Sequence, residues 1–129
     1  MSPTKRYLQN QLNPSGFVKA RGILGQEAPG ASYTTLYTCP EGSSAKVYVN
    51  VTNGSGGALT YRIALASGGG TPAAKEFVAY DVSLAAVTVA ALGPFFVSGD
   101  MSTAGEDEII VYGSSGDLSF TAHGEEYFG

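Results

Sequence analysis

Side chains that commonly carry catalysis or bind metals are scarce in this sequence. It contains one cysteine, Cys39, and one histidine, His123, which lie far apart along the chain. A nucleophilic thiol needs a base beside it, and a zinc site built by one chain needs several ligands of these two types. Cys39 ends an apolar run just before Pro40, a position typical of a small hydrophobic side chain in the core. The sequence therefore indicates neither a cysteine nucleophile nor a zinc site.

Two further patterns could bind a ligand, and neither matches the chemistry that it would need. The acidic cluster Glu106, Asp107 and Glu108 lacks the ligand spacing of an EF-hand loop, and such a cluster before a strand is typically solvated. The glycine-rich segment Gly68–Thr71 lacks the lysine of a phosphate-binding loop, and no helical pattern follows it. We predict a protein that is not an enzyme and binds no metal and no cofactor. Carboxylates distant in the sequence could still converge into a cation site.

The elements that would position these side chains are short strands. Between Ala45 and Thr52, apolar and polar residues alternate, which is typical of a strand with one buried face and one wet face. We expect Val47, Val49 and Val51 to be core, and Lys46, Tyr48 and Asn50 to be exposed or in an interface. The same alternation near the end of the chain places His123 on a polar face, so we expect a surface imidazole.

Similar runs, separated by turn signals, indicate seven to eight short strands from Tyr33 onwards. They are Tyr33–Thr38, Ala45–Thr52, Leu59–Ala66, Glu76–Leu84, Ile109–Tyr112 and a last run from Leu118 towards Glu126, with a strand or strand-plus-turn at Ala85–Leu92 and a short apolar run at Phe95–Val97. Regularly spaced strands without helices between them favour an all-β fold. We therefore predict an antiparallel β-sandwich, or a jelly-roll-like barrel, with an extended N-terminal arm.

Charge is distributed unevenly along the chain. Residues 1–21 contain four bases and no acid, whereas residues 22–129 contain three bases and eleven acids, so a +4 segment precedes a −8 segment. A basic arm on an acidic body is typical of a segment that docks on a partner, and the alternative is a solvated, frayed terminus. We assign residues 1–21 to the arm and residues 22–129 to the β-sandwich domain. The residues expected to contact a partner are Lys5, Arg6, Phe17, Lys19 and Arg21.

Composition disfavours several classes of partner. No apolar run approaches the roughly 18 residues of a membrane span, and the N-terminal residues contain no apolar signal segment. An acidic body repels nucleic acid, and a +4 arm alone makes only weak, salt-sensitive contact with phosphate. Protein partners are favoured instead, because eight tyrosines accompany many glycines and serines. Tyr48 and Tyr61 are the candidates for an interface. Apolar residues at positions 17, 18, 23 and 24 indicate that the second half of the arm packs on its own domain or on a neighbour.

Several short motifs are shared with a known group of proteins. They are Gly25–Pro29, Thr34–Pro40, Asn53–Gly57 before Tyr61–Ala64, Asp81–Val82, and Ile110–Tyr112 followed by Phe120–Gly124. Through these motifs the segment 22–128 resembles small virion structural proteins of tailed bacteriophages, whose pattern is roughly G-Q-x-A-P, then T-T-L-Y-T-x-P, then a β-rich remainder. Two features depart from that pattern: Cys39 stands where small aliphatic residues are usual, and the basic arm is additional.

The resemblance implies a β-sandwich carried on the virion, as a capsid cement or decoration protein or as a tail or fibre-attachment piece. The group has no catalytic residues to carry over. We therefore expect a homo-oligomeric virion protein, assembled in the host cytoplasm, that stabilises the capsid by docking on other virion proteins, above all the major capsid protein. The alternatives are a tail, tail-fibre or baseplate attachment component, and a glycan-binding receptor module whose exposed tyrosines stack on sugars.

Overall fold

The structure is a computed structural model that describes residues 17–68, 71–99 and 106–128. In these residues the chain forms eight strands: β1 (Val18–Glu27), β2 (Thr34–Thr38), β3 (Ser43–Asn53), β4 (Leu59–Ser67), β5 (Phe77–Leu84), β6 (Thr88–Ser98), β7 (Asp107–Gly113) and β8 (Leu118–Phe128). One turn of 3₁₀ helix, Ala74–Glu76, precedes β5. The described part of the chain holds no helix of the length and apolar character needed to cross a bilayer.

The strands form two antiparallel four-stranded sheets. The first sheet has the order β1-β8-β3-β6, and the second has the order β2-β7-β4-β5. The chain pairs as nested hairpins, β1 with β8, β2 with β7, β3 with β6 and β4 with β5, and successive pairs alternate between the sheets. The pairs β3–β8 and β4–β7 join the two halves of each sheet. Eight strands nested in this way form a jelly-roll sandwich, so the predicted all-β fold is confirmed.

Two element boundaries differ from those expected. β1, from Val18 to Glu27, pairs with β8, whereas strands were predicted only from Tyr33 onwards, so the boundary drawn after residue 21 falls inside an unpredicted strand of the sandwich. Of the two alternatives for the second half of the arm, packing on its own domain is the one observed. The runs Ala85–Leu92 and Phe95–Val97 contribute to one strand, β6, because Gly93 at a φ of 112° forms a bulge between them.

The core lies between the two sheets and follows the alternation of β3. Val47, Val49 and Val51 are completely buried, as predicted, and burial of a side chain of this size stabilises the fold by about 1.5–3 kcal/mol. Lys46, Tyr48 and Asn50 are half-buried on the opposite, outer face of the same strand. Cys39 is also completely buried, which confirms the expected core position of this thiol.

A second, smaller apolar cluster lies on the outer face of the second sheet. Ala64, Ala66 and Ile110 are buried there, although their neighbours along the chain already face the core. Tyr33 and Phe77 pack against them and keep them from water. Burial on both faces explains why β7 has a nearly continuous apolar sequence instead of a clean alternation.

Asn53 connects two loops at one end of the sandwich, the β3–β4 loop and the β5–β6 turn. Its amide nitrogen donates to the carbonyl oxygens of Gly57, Leu84 and Ala85 at 2.9, 3.0 and 3.1 Å, and its side-chain oxygen accepts from the backbone N–H of Ser55 at 2.8 Å. Asn53 is only 1% exposed, so its nitrogen is committed to these bonds. The side chain is therefore a structural anchor.

All four edge strands depart from regular pairing. Register shifts occur in the pairs β1–β8, β2–β7, β3–β6 and β4–β5, each of which attaches an edge strand to its sheet. The interior pairs β3–β8 and β4–β7 run without a shift. Bulges hinder an edge from pairing its free backbone groups with another strand. The geometry therefore disfavours assembly by addition of a strand and leaves the outer sheet faces as the surfaces for contact.

Candidate binding surfaces

A row of side chains crosses the outer face of the first sheet. Arg21 of β1 is the register partner of Glu125 of β8, Glu125 is the partner of Lys46 of β3, and Lys46 is the partner of Phe96 of β6. We call these four residues the cross-strand row. It places one acid between two bases and ends on an aromatic ring.

Glu125 is the electrostatic centre of this row. The hydroxyl of Tyr127 donates a hydrogen bond to its carboxylate, and a guanidinium nitrogen of Arg21 lies 3.8 Å from the other carboxylate oxygen. The hydrogen bond from Tyr127, followed by the charges of Arg21 and Lys46, holds the pKa of Glu125 below its usual value. The same hydrogen bond raises the pKa of Tyr127. Glu125 is therefore ionised at neutral pH, and the row carries two positive charges against one negative charge.

Next to the row, an imidazole and a phenol stack on each other. The rings of Tyr48 and His123 are 5.5 Å apart with 18° between their planes. They line a shallow cavity of about 320 Å³, whose other walls are the three charged residues of the row and the two glycines Gly22 and Gly124. His123 lies on the outer face, as the alternation predicts, but it is half-buried, and its Nε2 is a buried atom that contacts no hydrogen-bond partner among the described residues.

Exposed apolar side chains flank this polar centre. Ile23 on β1 is 67% exposed, and its register partner is His123. At the opposite edge, Phe96 on β6 is 72% exposed. Exposed large apolar side chains, with tyrosine and arginine among them, are enriched at protein–protein contact surfaces. We call the cross-strand row together with Ile23, Tyr48 and His123 the docking face.

Residues predicted to contact a partner fall into three groups. Arg21 and Tyr48 belong to the docking face, and the side chain of Arg21 is 68% exposed. Lys19 lies at the end of the same sheet, where its ammonium donates to the hydroxyl of Ser43 at 2.9 Å and sits over the ring of Phe128. Phe17 is half-buried, and its carbonyl accepts from the backbone N–H of Phe128. Lys5 and Arg6 lie outside the described residues.

Tyr61 does not lie at the surface, so its prediction as an interface residue is wrong. It is 3% exposed and packs edge-on against Phe120 in the core, with 6.3 Å between ring centres. Its strand alternates regularly, and the position of Tyr61 in that alternation puts it on the same inner face as Ile63. Burial also raises the pKa of its phenol.

The outer face of the second sheet carries a different arrangement, centred on Arg62. The guanidinium lies between two aromatic rings, 4.2 Å from the centre of Tyr80 and 4.5 Å from that of Tyr112. Its Nε donates to Asp81 at 2.6 Å, a terminal nitrogen donates to the same carboxylate at 3.3 Å, and the other donates to the hydroxyl of Tyr33 at 2.7 Å. The hydrogen bonds from Arg62 lower the pKa of Asp81. The side chain is therefore rigidly held, and its charge is compensated.

Beside Arg62, aromatic rings line an open cavity of about 560 Å³. Its walls are Tyr33, Pro72, Ala74, Phe77 and Tyr80, and we call it the aromatic cavity. The rings of Phe77 and Tyr80 meet edge-on at 5.0 Å, whereas Tyr33 and Phe77 are tilted by 50° at 6.1 Å. Tyr80 is 56% exposed, so this ring is accessible from solvent.

The side chains first considered for chemistry serve the fold. The thiol of Cys39 faces the carbonyl oxygens of Ser43 and Val97, and burial raises its pKa, which opposes a thiolate. Asp107 accepts from the hydroxyl of Ser67 and the backbone N–H of Ser98, each at 2.9 Å, so it links β7 to strands of both sheets instead of standing in a solvated turn. Residues 17–68, 71–99 and 106–128 contain no group of acids, His and Cys arranged to hold a metal ion.

Sequence reasoning did not predict how the residues of these surfaces come together. Glu125, Phe96 and Ile23 join the docking face only through strand register, and periodicity along one strand carries no register information. Arg62 is correctly expected to face outwards, but its two stacking partners lie on β5 and β7. Phe96 lies in the continuous apolar run Phe95–Val97, so nothing in the sequence marks it as the exposed member of that run.

The fold and these two faces define an antiparallel jelly-roll sandwich with side chains suited to binding on both outer surfaces. Comparison with family models, with curated proteins and with solved structures found no match.

Proposed function

We propose that this chain is a structural protein of the virion of a tailed bacteriophage, a capsid cement or decoration protein that binds neighbouring virion proteins through the docking face. The observation that carries the proposal is the cross-strand row of Arg21, Glu125, Lys46 and Phe96, flanked by the exposed Ile23. The resemblance of segment 22–128 to small virion proteins supports it. Jelly-roll sandwiches also serve in viral capsids, which is an analogy at the level of the fold.

The geometry favours contact through a face over contact through an edge. Bulges in all four edge-strand pairs oppose strand addition, whereas Ile23 and Phe96 expose large apolar surfaces on the first sheet. Removing such side chains from water supplies affinity, and the charged centre between them supplies orientation. A partner that fits this face has apolar pockets around an acidic centre, and the major capsid protein is the proposed partner.

The basic arm extends the same electrostatic pattern. Arg21 and Lys46 outnumber Glu125 on the row, and Lys19 lies at the end of the same sheet. Lys5 and Arg6 precede this strand in the sequence and add two positive charges. We propose that they contact the same acidic neighbour.

Self-association stays a prediction. The exposed valines Val87 and Val89 at the turn into β6 are the residues to test for a contact between copies.

A map of purified particles by electron cryomicroscopy tests this proposal. We expect density for the sandwich on the capsid, with the docking face turned towards the neighbouring protein and the second sheet turned away. Density on the tail or baseplate would replace the cement assignment with that of an attachment component. Absence of the chain from purified particles, checked by mass spectrometry of the same sample, would overturn the proposal.

A further inference from the structure

We infer that the aromatic cavity on the second sheet binds a neutral sugar residue of an oligosaccharide. This site lies on the opposite side of the sandwich from the docking face, so the inference does not rest on the proposed function. Four features of the cavity carry it: its size, its aromatic walls, its charge balance and its free hydroxyl donor.

The size and walls of the cavity suit a sugar ring. Its volume of about 560 Å³ falls within the usual range for small-ligand sites. Sugars present C–H groups on their ring faces, and these pack favourably against aromatic rings. Tyr80 offers a ring that is 56% exposed, and the edge-on ring of Phe77 forms a second wall beside it. Pro72 is buried and, with Ala74, closes the cavity with apolar surface from the segment before β5.

The charge balance of the cavity selects an uncharged ligand. Arg62 contacts the ring of Tyr80 and the hydroxyl of Tyr33, and both of its bonds to Asp81 neutralise it in place. The adjacent 3₁₀ turn contributes one base, Lys75, and one acid, Glu76. An anionic ligand would have to displace Asp81 from Arg62, and a cationic ligand would meet the guanidinium itself. A neutral, hydroxyl-rich ligand incurs neither cost.

The phenol of Tyr33 provides a directed hydrogen bond at the wall of the cavity. Its oxygen accepts from Arg62 at 2.7 Å, and its own hydrogen has no acceptor among the described residues. A phenol that accepts from a cation is a stronger donor, because the positive charge polarises the O–H bond. This hydrogen is free to bond a sugar oxygen, and Tyr33 is one of the residues that line the cavity with Tyr80.

The inference is tested with the full chain and a panel of neutral oligosaccharides that end in glucose, galactose, mannose or N-acetylglucosamine. Saturation-transfer NMR detects binding, and titration gives the dissociation constant. We expect at least one oligosaccharide to bind. Tyr80→Ala should weaken that binding by about tenfold or more, and Tyr33→Phe should weaken it by a smaller factor. Tyr48→Ala on the opposite sheet is the control and should leave binding unchanged.

Three results would overturn the inference. The first is no saturation transfer to any oligosaccharide of the panel at millimolar concentration, with the fold of the sample verified by circular dichroism. The second is binding that survives Tyr80→Ala, or that Tyr48→Ala abolishes, since the site would then lie elsewhere. The third is preferential binding of a proline-rich peptide at these aromatic rings, because the cavity would then be a peptide site. Tyr80→Phe keeps the ring and should retain most of the sugar affinity.

Discussion

The hydroxyl of Tyr37 in the second sheet donates a hydrogen bond of 2.5 Å to the carboxylate of Glu126 in the first sheet. Tyr37 is 6% exposed, so this polar contact between the sheets lies at the margin of the core. Burial first, and then the bond to Glu126, raises the pKa of the phenol well above its usual value of 10. The fold therefore holds Tyr37 in its protonated form.

Loss of this contact should change both stability and its dependence on pH. Tyr37→Phe removes one charge-assisted hydrogen bond, and we expect the free energy of unfolding to fall by about 1–2 kcal/mol at neutral pH. In the unfolded chain the phenol titrates near pH 10, whereas in the folded chain its pKa is higher. The stability that this difference contributes is complete below about pH 10 and is lost as the pH rises further.

Urea unfolding between pH 7 and pH 11 measures this effect. The loss of stability above pH 10 should be shallower in Tyr37→Phe than in the unmodified chain. Tyr48→Phe, which changes a phenol on the outer face, is the matched control and should keep the full alkaline slope. Equal slopes in all three proteins would show that the fold does not raise the pKa of Tyr37.

At the end of the sandwich where Asn53 binds the loops, this residue is predicted to be the polar side chain whose removal lowers stability most. Asn53→Ala leaves three carbonyl groups without their donor and one N–H without its acceptor, which should lower the free energy of unfolding by about 2–4 kcal/mol. Asn50→Ala, on the outer face of the same strand, is the control and should cost about 0.5 kcal/mol or less. Equal destabilisation of the two variants in thermal unfolding would contradict the anchoring role.

Gly124 is required where β8 passes close to β3. A Cβ atom at this position would lie 2.0 Å from the carbonyl oxygen of Lys46, and the φ of 153° is one that L-residues rarely adopt. We expect Gly124→Ala to destabilise the fold by about 2 kcal/mol or more. Gly56→Ala, where a Cβ would meet no atom within 4 Å, should be nearly neutral in the same denaturant series. A neutral Gly124→Ala would mean that the two strands can separate without cost.

Removal of residues 1–16 separates the contribution of the arm from that of the fold. A cut at residue 21 would delete the start of β1, whereas a cut at residue 16 leaves β1 intact. We expect the truncated chain to keep its melting temperature and to bind particles more weakly, with the larger difference at low salt, because Lys5 and Arg6 are lost. The full-length double variant Lys5→Ala/Arg6→Ala should reproduce the loss. Full binding by the truncated chain would refute a docking role for the arm.

The sequence predicted the fold well, because local alternation and turn residues determine where strands occur. The valines of β3 and the thiol of Cys39 are buried as their patterns indicate. β1 was missed because none of its residues is buried, so no core-facing side marks its sequence, and the pairing with β8 that orders this segment joins strands that are remote in sequence.

The candidate surfaces were predicted only in part. Arg21 and Tyr48 were identified from charge and residue type, whereas Glu125 and Phe96 reach them through the pairing of four strands that are remote in sequence. Tyr61 was assigned to an interface because tyrosine suits both surfaces and cores, and its strand alternation was the better guide. Register and sheet order are set by tertiary packing, so no pattern within one strand shows them.

The docking face is the central claim, and rebinding of the purified chain to particles that lack it tests this claim most directly. Phe96→Glu and Ile23→Glu change exposed side chains, so both variants should fold, and each should weaken particle binding by about tenfold or more. Val78→Glu, at an exposed apolar position of the second sheet, is the matched control and should bind as the unmodified chain does. Unchanged affinity in both docking-face variants, or a loss of binding confined to Val78→Glu, would contradict the proposed function.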